Sequence, residues 1–324
     1  MADSLSYLIC NACGTQHPTA DRASLPTCFI CDDPRQFVPA SGQSFTTLQA
    51  LRDEGTRRNE FIPLPNHSGH STGADPETPQ LTAIVTTPSF GIGQRAILVR
   101  TPAGNVLWDC VAYLDDATVE ALKRLGGIQA MVISHPHFYT THLEWAARFE
   151  CPVYLAAEDA QWLARPGKEH DTEGRRVFLE EVETKVVIGG VDSGVRIVKL
   201  GGHFPGSQVL VYDGYILTAD TLMMTPAGKS TWKVDALGNP RTRPPGVNSF
   251  TFMWSIPNMI PLNPTEITRI WHIVKNYEFR SAHGGFVGAD IVDDVNLKSR
   301  VLDSMKIQIR AMGYDQHPLL EETV

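Results

Sequence analysis

Short apolar runs rich in Val, Ile and Leu recur from residue 81 onward, and stretches of helical spacing lie between them. LTAIVTT (81–87), RAILVRT (95–101) and NVLWDCV (105–111) read as strands. ATVEALKRLG (117–126) repeats apolar residues at helical spacing and stops at Gly126-Gly127. QAMVISH (129–135) reads as a short buried strand, THLEWAARF (141–149) as a helix and CPVYLAA (151–157) as a strand. KVVIGG, GVRIVKL, QVLVYD and YILTAD follow as further short strands, and DVNLKSRVLDSMKIQIRAMG (294–313) as a long amphipathic helix. Strands alternating with helices predict an α/β domain whose sheets are covered by helices.

Before residue 81 the pattern lapses. Residues 1–33 hold clustered cysteines. Residues 34–80 are rich in Pro, Gly, Ser, Thr and Asn, and PLPNHSGHSTGADPETPQ (63–80) reads as an irregular connector. The chain therefore divides into a zinc-ribbon-like segment (1–33), a connector (34–80) and a large domain (81–324). A length of 324 residues is compatible with this division.

Charge and targeting signals narrow the function classes. The net charge of −8 lacks the basic excess that neutralising phosphates requires, which disfavours nucleic acid as a partner. No apolar run approaches the roughly 18–20 residues of a membrane span. The opening Met1-Ala2-Asp3-Ser4 has no basic n-region, so no secretory signal and a cytoplasmic, reducing setting are expected. Nothing in the sequence sets an oligomeric state.

Four of the six cysteines, Cys10, Cys13, Cys28 and Cys31, form two Cys-x-x-Cys knuckles with 14 residues between them. Two knuckles can converge four thiolates on one tetrahedral ion, and a closed shell predicts a structural zinc. His17 is a spare donor beside a shell already complete. Few basic residues and no aromatic row accompany the knuckles, so the segment is expected to dock on, or cover, the larger domain.

The second chemical signal is HPHFYTTH, with His135, His137 and His142 just after the strand QAMVIS. Residues two apart on an extended turn can both face one ion, and imidazole suits Zn²⁺. GGHFPGS then places His203 among turn residues, LTAD places Asp220 at a strand end, and SAHGG places His283 in a glycine-flanked loop. His67 and His70 read as solvated. His170, His272 and His317 read as ordinary surface or core histidines.

The order His-x-His, His, Asp, His resembles the metallo-β-lactamase superfamily over about residues 81–310. GNVLWDC is similar to its early strand ending in Asp109, and GGHFPGS to its second-histidine loop. The resemblance implies an αββα sandwich, two mixed sheets flanked by helices, with metals at one edge. It maps a first metal site onto His135, His137 and His203, and part of a second onto Asp220, as a bridging ligand, and His283. The family usually reads HxHxDH, whereas this chain has Tyr139 and Thr140 at the last two positions. A neutral phenol with a pKa of about 10 is a poor ligand. One tightly bound zinc is therefore expected, with the second site weak, empty or completed by His142.

Three neutral imidazoles leave zinc an open position where water can ionise near pH 7. Asp220 is then the candidate proton acceptor, Tyr139 a candidate hydrogen-bond donor to the substrate, and Asp109 a candidate support for a ligand histidine. The leading reading is a zinc-dependent hydrolase of a small acyl substrate: a lactone, lactam, ester or thioester. The alternative is a mononuclear-iron oxidoreductase or thiol dioxygenase on the same fold. A nucleic-acid-processing protein ranks below both.

Overall fold

The computed structural model describes residues 4–67 and 79–324. The sequence reading of His70 lies outside the described residues. The cysteine segment begins with strand β1 (Leu8–Cys10), which pairs antiparallel with β2 (Phe45–Thr47) and leads on to helix α1 (Leu48–Asp53). Strand β3 (Arg58–Pro63) opens a seven-stranded sheet. The sheet continues with β4 (Leu81–Thr87), β5 (Arg95–Thr101), β6 (Gly104–Trp108), β7 (Ala130–Val132), β8 (Val153–Ala156) and β9 (Arg176–Leu179). Pairing is antiparallel from β3 to β6 and parallel from β6 to β9. Helix α2 (Asp116–Arg124) makes the first parallel crossover and α3 (His142–Phe149) the second.

The second sheet contains β10 (Glu183–Ile188), β11 (Val191–Lys199), β12 (Gln208–Tyr212) and β13 (Tyr215–Leu217). Two small hairpins interrupt it, β14 (Met223–Met224) with β15 (Phe250–Thr251) and β16 (Met253–Ser255) with β17 (Ile260–Pro261). Around them lie the short helix α4 (Pro226–Lys229) and α5 (Pro264–Val274). Strand β18 (Ser281–His283) then joins β13 in parallel, β19 (Asp290–Ile291) closes the sheet, and α6 (Leu297–Ala311) follows.

Side-chain alternation shows how the layers stack. In β5, Ile97 and Val99 face β12 residues Leu210 and Tyr212 in one core cluster. Their neighbours Ala96 and Leu98 face Val119 and Leu122 of α2 and Trp145 of α3 in another. In β12, Val209 and Val211 turn outward to Ile267 and Trp271 of α5 and Met305 of α6. The period of two therefore separates three apolar layers, and the protein is an αββα sandwich with an N-terminal cysteine segment. Each fully buried aliphatic side chain contributes roughly 1.5–3 kcal/mol, so the three layers dominate stability.

Two differences from the sequence reading have physical causes. Residues 34–80 are not wholly irregular: β2, α1 and β3 form inside them. Their apolar residues are too sparse to read alone, and β3 depends on pairing with β4 from Arg58↔Thr87 to Pro63↔Thr82. The run NVLWDCV stops as a strand at Trp108, because Asp109 adopts φ +62° and leaves the sheet.

Candidate metal centre

The buried knuckles bring four sulfurs together. Cys10 Sγ lies 3.6 Å from Cys31 Sγ, and Cys13 Sγ lies 3.7 Å from Cys28 Sγ. All four lie within 4.8 Å of one another. Thiolates at about 2.3 Å from a tetrahedral ion stand about 3.8 Å apart, so the set fits a four-thiolate metal. Hydrogen bonds from Cys10, Cys13 and Cys31 draw the Cys28 thiol well below its ordinary value. His17 is buried nearby, its ring edge-on to Phe29 and Phe45.

The segment docks as expected of a covering element. Gly14 has φ +80°, and a Cβ there would come within 2.8 Å of Ala112 and 3.6 Å of Thr140 Cγ2. The Gln16 amide donates to the Thr140 carbonyl at 3.3 Å. Thr140 itself has φ +33°. The loop that departs from HxHxDH is thus the seat of the first knuckle.

His135, His137, His203 and Asp220 form the second cluster, all buried. His135 follows β7. The Ser134 amide before it donates to Asp109 Oδ1 at 2.7 Å, and its own Nδ1 meets Ser134 Oγ at 2.9 Å. His137 stands on a single 3-10 turn, Pro136–Phe138. His203 stands on the GGHFPGS turn after β11. There Thr221 Oγ1 accepts from the His203 amide at 3.1 Å and donates to the Gly201 carbonyl at 2.7 Å. Gly202 has φ +90°, and a Cβ would meet Leu262 at 2.8 Å. Asp220 lies in the turn after β13.

Asp220 Oδ2 is 3.4 Å from His135 Nε2, 3.7 Å from His137 Nδ1 and 3.6 Å from His203 Nε2. His203 Nε2 is 3.3 Å from His137 Nδ1. Ligand bonds of about 2.0–2.1 Å in a tetrahedral shell give edges of about 3.3–3.4 Å. Three nitrogens and one oxygen therefore face a common point at metal-shell spacing. Burial lowers the His137 pKa to about 4 and the His203 pKa to about 3, keeping both neutral. Burial pushes the Asp220 carboxyl up, but hydrogen bonds from His135 and His137 overcome it. Asp220 ends well below its ordinary range. These are the protonation states a metal requires.

His283, at the end of β18, is not within that four-atom set. Its Nδ1 donates to Asp290 Oδ1 at 2.7 Å, and Arg95 Nη2 donates to the same oxygen at 2.6 Å. Burial lowers its pKa. His283 Nε2 and Asp220 Oδ1 are both buried without a hydrogen-bond partner.

Tyr139 and His142 are not brought to the cluster. Tyr139 packs into the core between the first sheet and its helices, and burial holds its phenol well above its ordinary value. His142 starts α3, donates through Nδ1 to the Tyr139 carbonyl at 2.7 Å, and has its pKa lowered by burial to about 3. The charges acting on it are those of Arg176, Arg165 and Asp171. His67 is buried too, against the ring of Tyr215 at 4.5 Å between centroids.

The sequence reading missed Asp33 and Arg35. Arg35 Nη1 donates to the His203 carbonyl at 3.0 Å, and its guanidinium lies 3.7 Å over the Phe204 ring. A charged pair just after the second knuckle was its one visible signal.

The family model described as the metallo-beta-lactamase superfamily matches residues 91–252, half of the chain. The chain belongs to the metallo-β-lactamase superfamily. That membership supports a metal-dependent hydrolase in general. A Bacillus subtilis (strain 168) relative, the uncharacterized protein YmaE, is 34% identical over 289 residues, covering 87% of this chain and 89% of its own. A B3 metallo-β-lactamase with an active-site glutamic acid is 13% identical, with a TM-score of 0.44, over 88% of this chain and 99% of its own. The chemotaxis sensor ODP, solved as a peroxy diiron species, is 14% identical, with a TM-score of 0.44, over 69% of this chain and 90% of its own. Among the described residues, no helix is long and apolar enough to cross a membrane.

Proposed function

We propose that this superfamily member is a zinc-dependent hydrolase acting on a small acyl compound such as a lactone, lactam, ester or thioester. In this reading a second zinc holds the four cysteines in a structural role. The observation that carries it is the convergence of His135 Nε2, His137 Nδ1, His203 Nε2 and Asp220 Oδ2 in one buried cluster. A divalent metal held there supplies Lewis acidity and shifts water ionisation toward neutral pH. Asp220, kept anionic, accepts a proton at its otherwise unpartnered Oδ1. His283 has committed its Nδ1 proton to Asp290, so its Nε2 can only accept. With Asp220 it makes the remaining half of a second, weaker metal site. Tyr139 and Thr140 bring no ligand to it. The net charge of −8 supports a small-molecule substrate over nucleic acid. Six buried cysteines without a disulfide among them support a reducing, cytoplasmic setting.

Asp220 also gives the iron-dependent oxidoreductase its support. With Asp220 as a fourth ligand, zinc takes up water only by expanding to five-coordinate, whereas a six-coordinate iron keeps two positions for other ligands. Metal analysis of the purified protein, coupled to a panel of lactones, lactams and thioesters, tests both readings. Zinc with turnover supports the hydrolase, and iron without hydrolysis supports the alternative. His135→Ala is expected to lose the histidine-centre metal and at least about a hundredfold in turnover while keeping the cysteine-bound metal. Undiminished turnover in His135→Ala sinks the proposal.

A further inference from the structure

The strap Asp33-Pro34-Arg35 leaves the second cysteine knuckle and ends on the histidine loop. Arg35 is 8% exposed, and each of its nitrogens is engaged. Nε and Nη2 donate to the two oxygens of Asp33 at 2.7 and 2.6 Å, and Nη1 donates to the His203 carbonyl. The guanidinium plane is sandwiched near Phe204 at 3.7 Å, Trp162 at 5.0 Å and Trp254 at 5.6 Å. Pro34 anchors the strap on the other side, its carbonyl accepting from Ser255 Oγ at 2.6 Å and Asn258 Nδ2 at 2.8 Å. His203 Nδ1 is buried without a partner, so no hydrogen bond from that nitrogen orients the ring, as the bonds to Ser134 and Asp290 do for His135 and His283. The ring is oriented through its backbone and through Phe204, and Arg35 grips both.

We propose that Arg35 is a positioning residue through which the cysteine cluster sets metal affinity at the histidine centre. The proposal rests on the metal-centre reading above. The fork geometry matters: a rigid guanidinium can span a carboxylate and a carbonyl at once, and a lysine ammonium cannot. Groups that orient ligand histidines typically change metal affinity by about 10–100-fold.

Cobalt(II) titration of the metal-stripped full-length protein tests this, because thiolate and imidazole sites give separable absorption bands. A His135/His137/His203→Ala variant assigns the bands of the histidine centre. Arg35→Met is expected to weaken cobalt binding there about tenfold or more and to change those ligand-field bands, with the thiolate bands unchanged. Arg35→Lys should restore little. Cys28→Ser should weaken the histidine centre similarly, and adding it to Arg35→Met should cost little more. Wild-type affinity and bands in Arg35→Met overturn the proposal. If that variant does not fold, wild-type behaviour of Arg35→Lys overturns it, and full additivity with Cys28→Ser does so as well. Failure of the metal-centre reading looks different: the wild-type protein itself would then show no bands missing from the triple-alanine variant.

Discussion

At the scale of single residues, the metal cluster is held in readiness by burial. His137 and His203 stay neutral because an apolar surround penalises the imidazolium, and Asp220 stays anionic because three imidazoles point at it. His142 obeys the same physics without the chemistry. Its pKa falls from 6.5 to about 3, so the unfolded chain takes up a proton below about pH 6.5 that the folded chain refuses. Its contribution is complete above about pH 6.5 and declines as pH falls toward 3. His142→Leu should therefore flatten the acid limb of stability over that window, as measured by urea unfolding at a series of pH values. An unchanged limb would show that the folded chain protonates His142 as readily as the unfolded one and would sink this account. The four residues that cluster could be picked out as candidates because HPH, GGH and LTAD each sit beside turn residues at strand ends, whereas SAHGG carries the same signal and its His283 lies outside that set. The inward rotation of Tyr139 was not legible, since a phenol beside a histidine pair reads equally as donor or as packing.

At the scale of elements, the GGHFPGS turn has a tolerance smaller than a methyl group. A Cβ on Gly206 would lie 2.3 Å from Ala156 Cβ and 2.9 Å from the Asp159 carboxylate, which accepts from the Gly206 amide at 2.9 Å. Gly206→Ala should cost about 1–3 kcal/mol by overpacking and should also displace His203. Paired urea unfolding and metal titration read the two effects, and a stability loss with unchanged metal affinity would separate the turn from the ligand. Burial of Asp159 raises its pKa to about 7, which marks how dry this contact is. Strands with dense Val and Ile, such as β4 and β5, coincide with the runs seen in the sequence. The strand β3 and the β14–β15 pair escaped notice because each depends on a partner distant in sequence rather than on its own composition, and β16 and β17 because they are only three and two residues long.

At the scale of the whole molecule, the cysteine segment and its strap are wired into the sandwich at several places, among them the Thr140 loop, the His203 loop and the turn carrying Ser255 and Asn258. Stripping metal from the four thiolates should raise hydrogen exchange at the knuckle amides of Gly14, Cys31 and Asp32, which bond to the carbonyls of Cys10 and Cys28. Strands β5 and β12, in the core between the sheets, should keep their protection. Mass spectrometry of peptides before and after chelation checks this, and unchanged exchange across residues 8–36 would remove the structural role of that metal.

The position of β3 carries one more consequence. It lies at the rim of the seven-stranded sheet, with Arg58 exposed and its ion-pair partner Glu60 half-buried along it and Pro63 at its end. Charged side chains and a residue without an amide proton make a poor template for another strand. A chain begun at Leu81 would present the apolar run LTAIVTT as an open rim instead. The early, compositionally unremarkable part of the chain thus guards the fold against edge-to-edge self-association, and the sandwich cannot be excised from it cleanly.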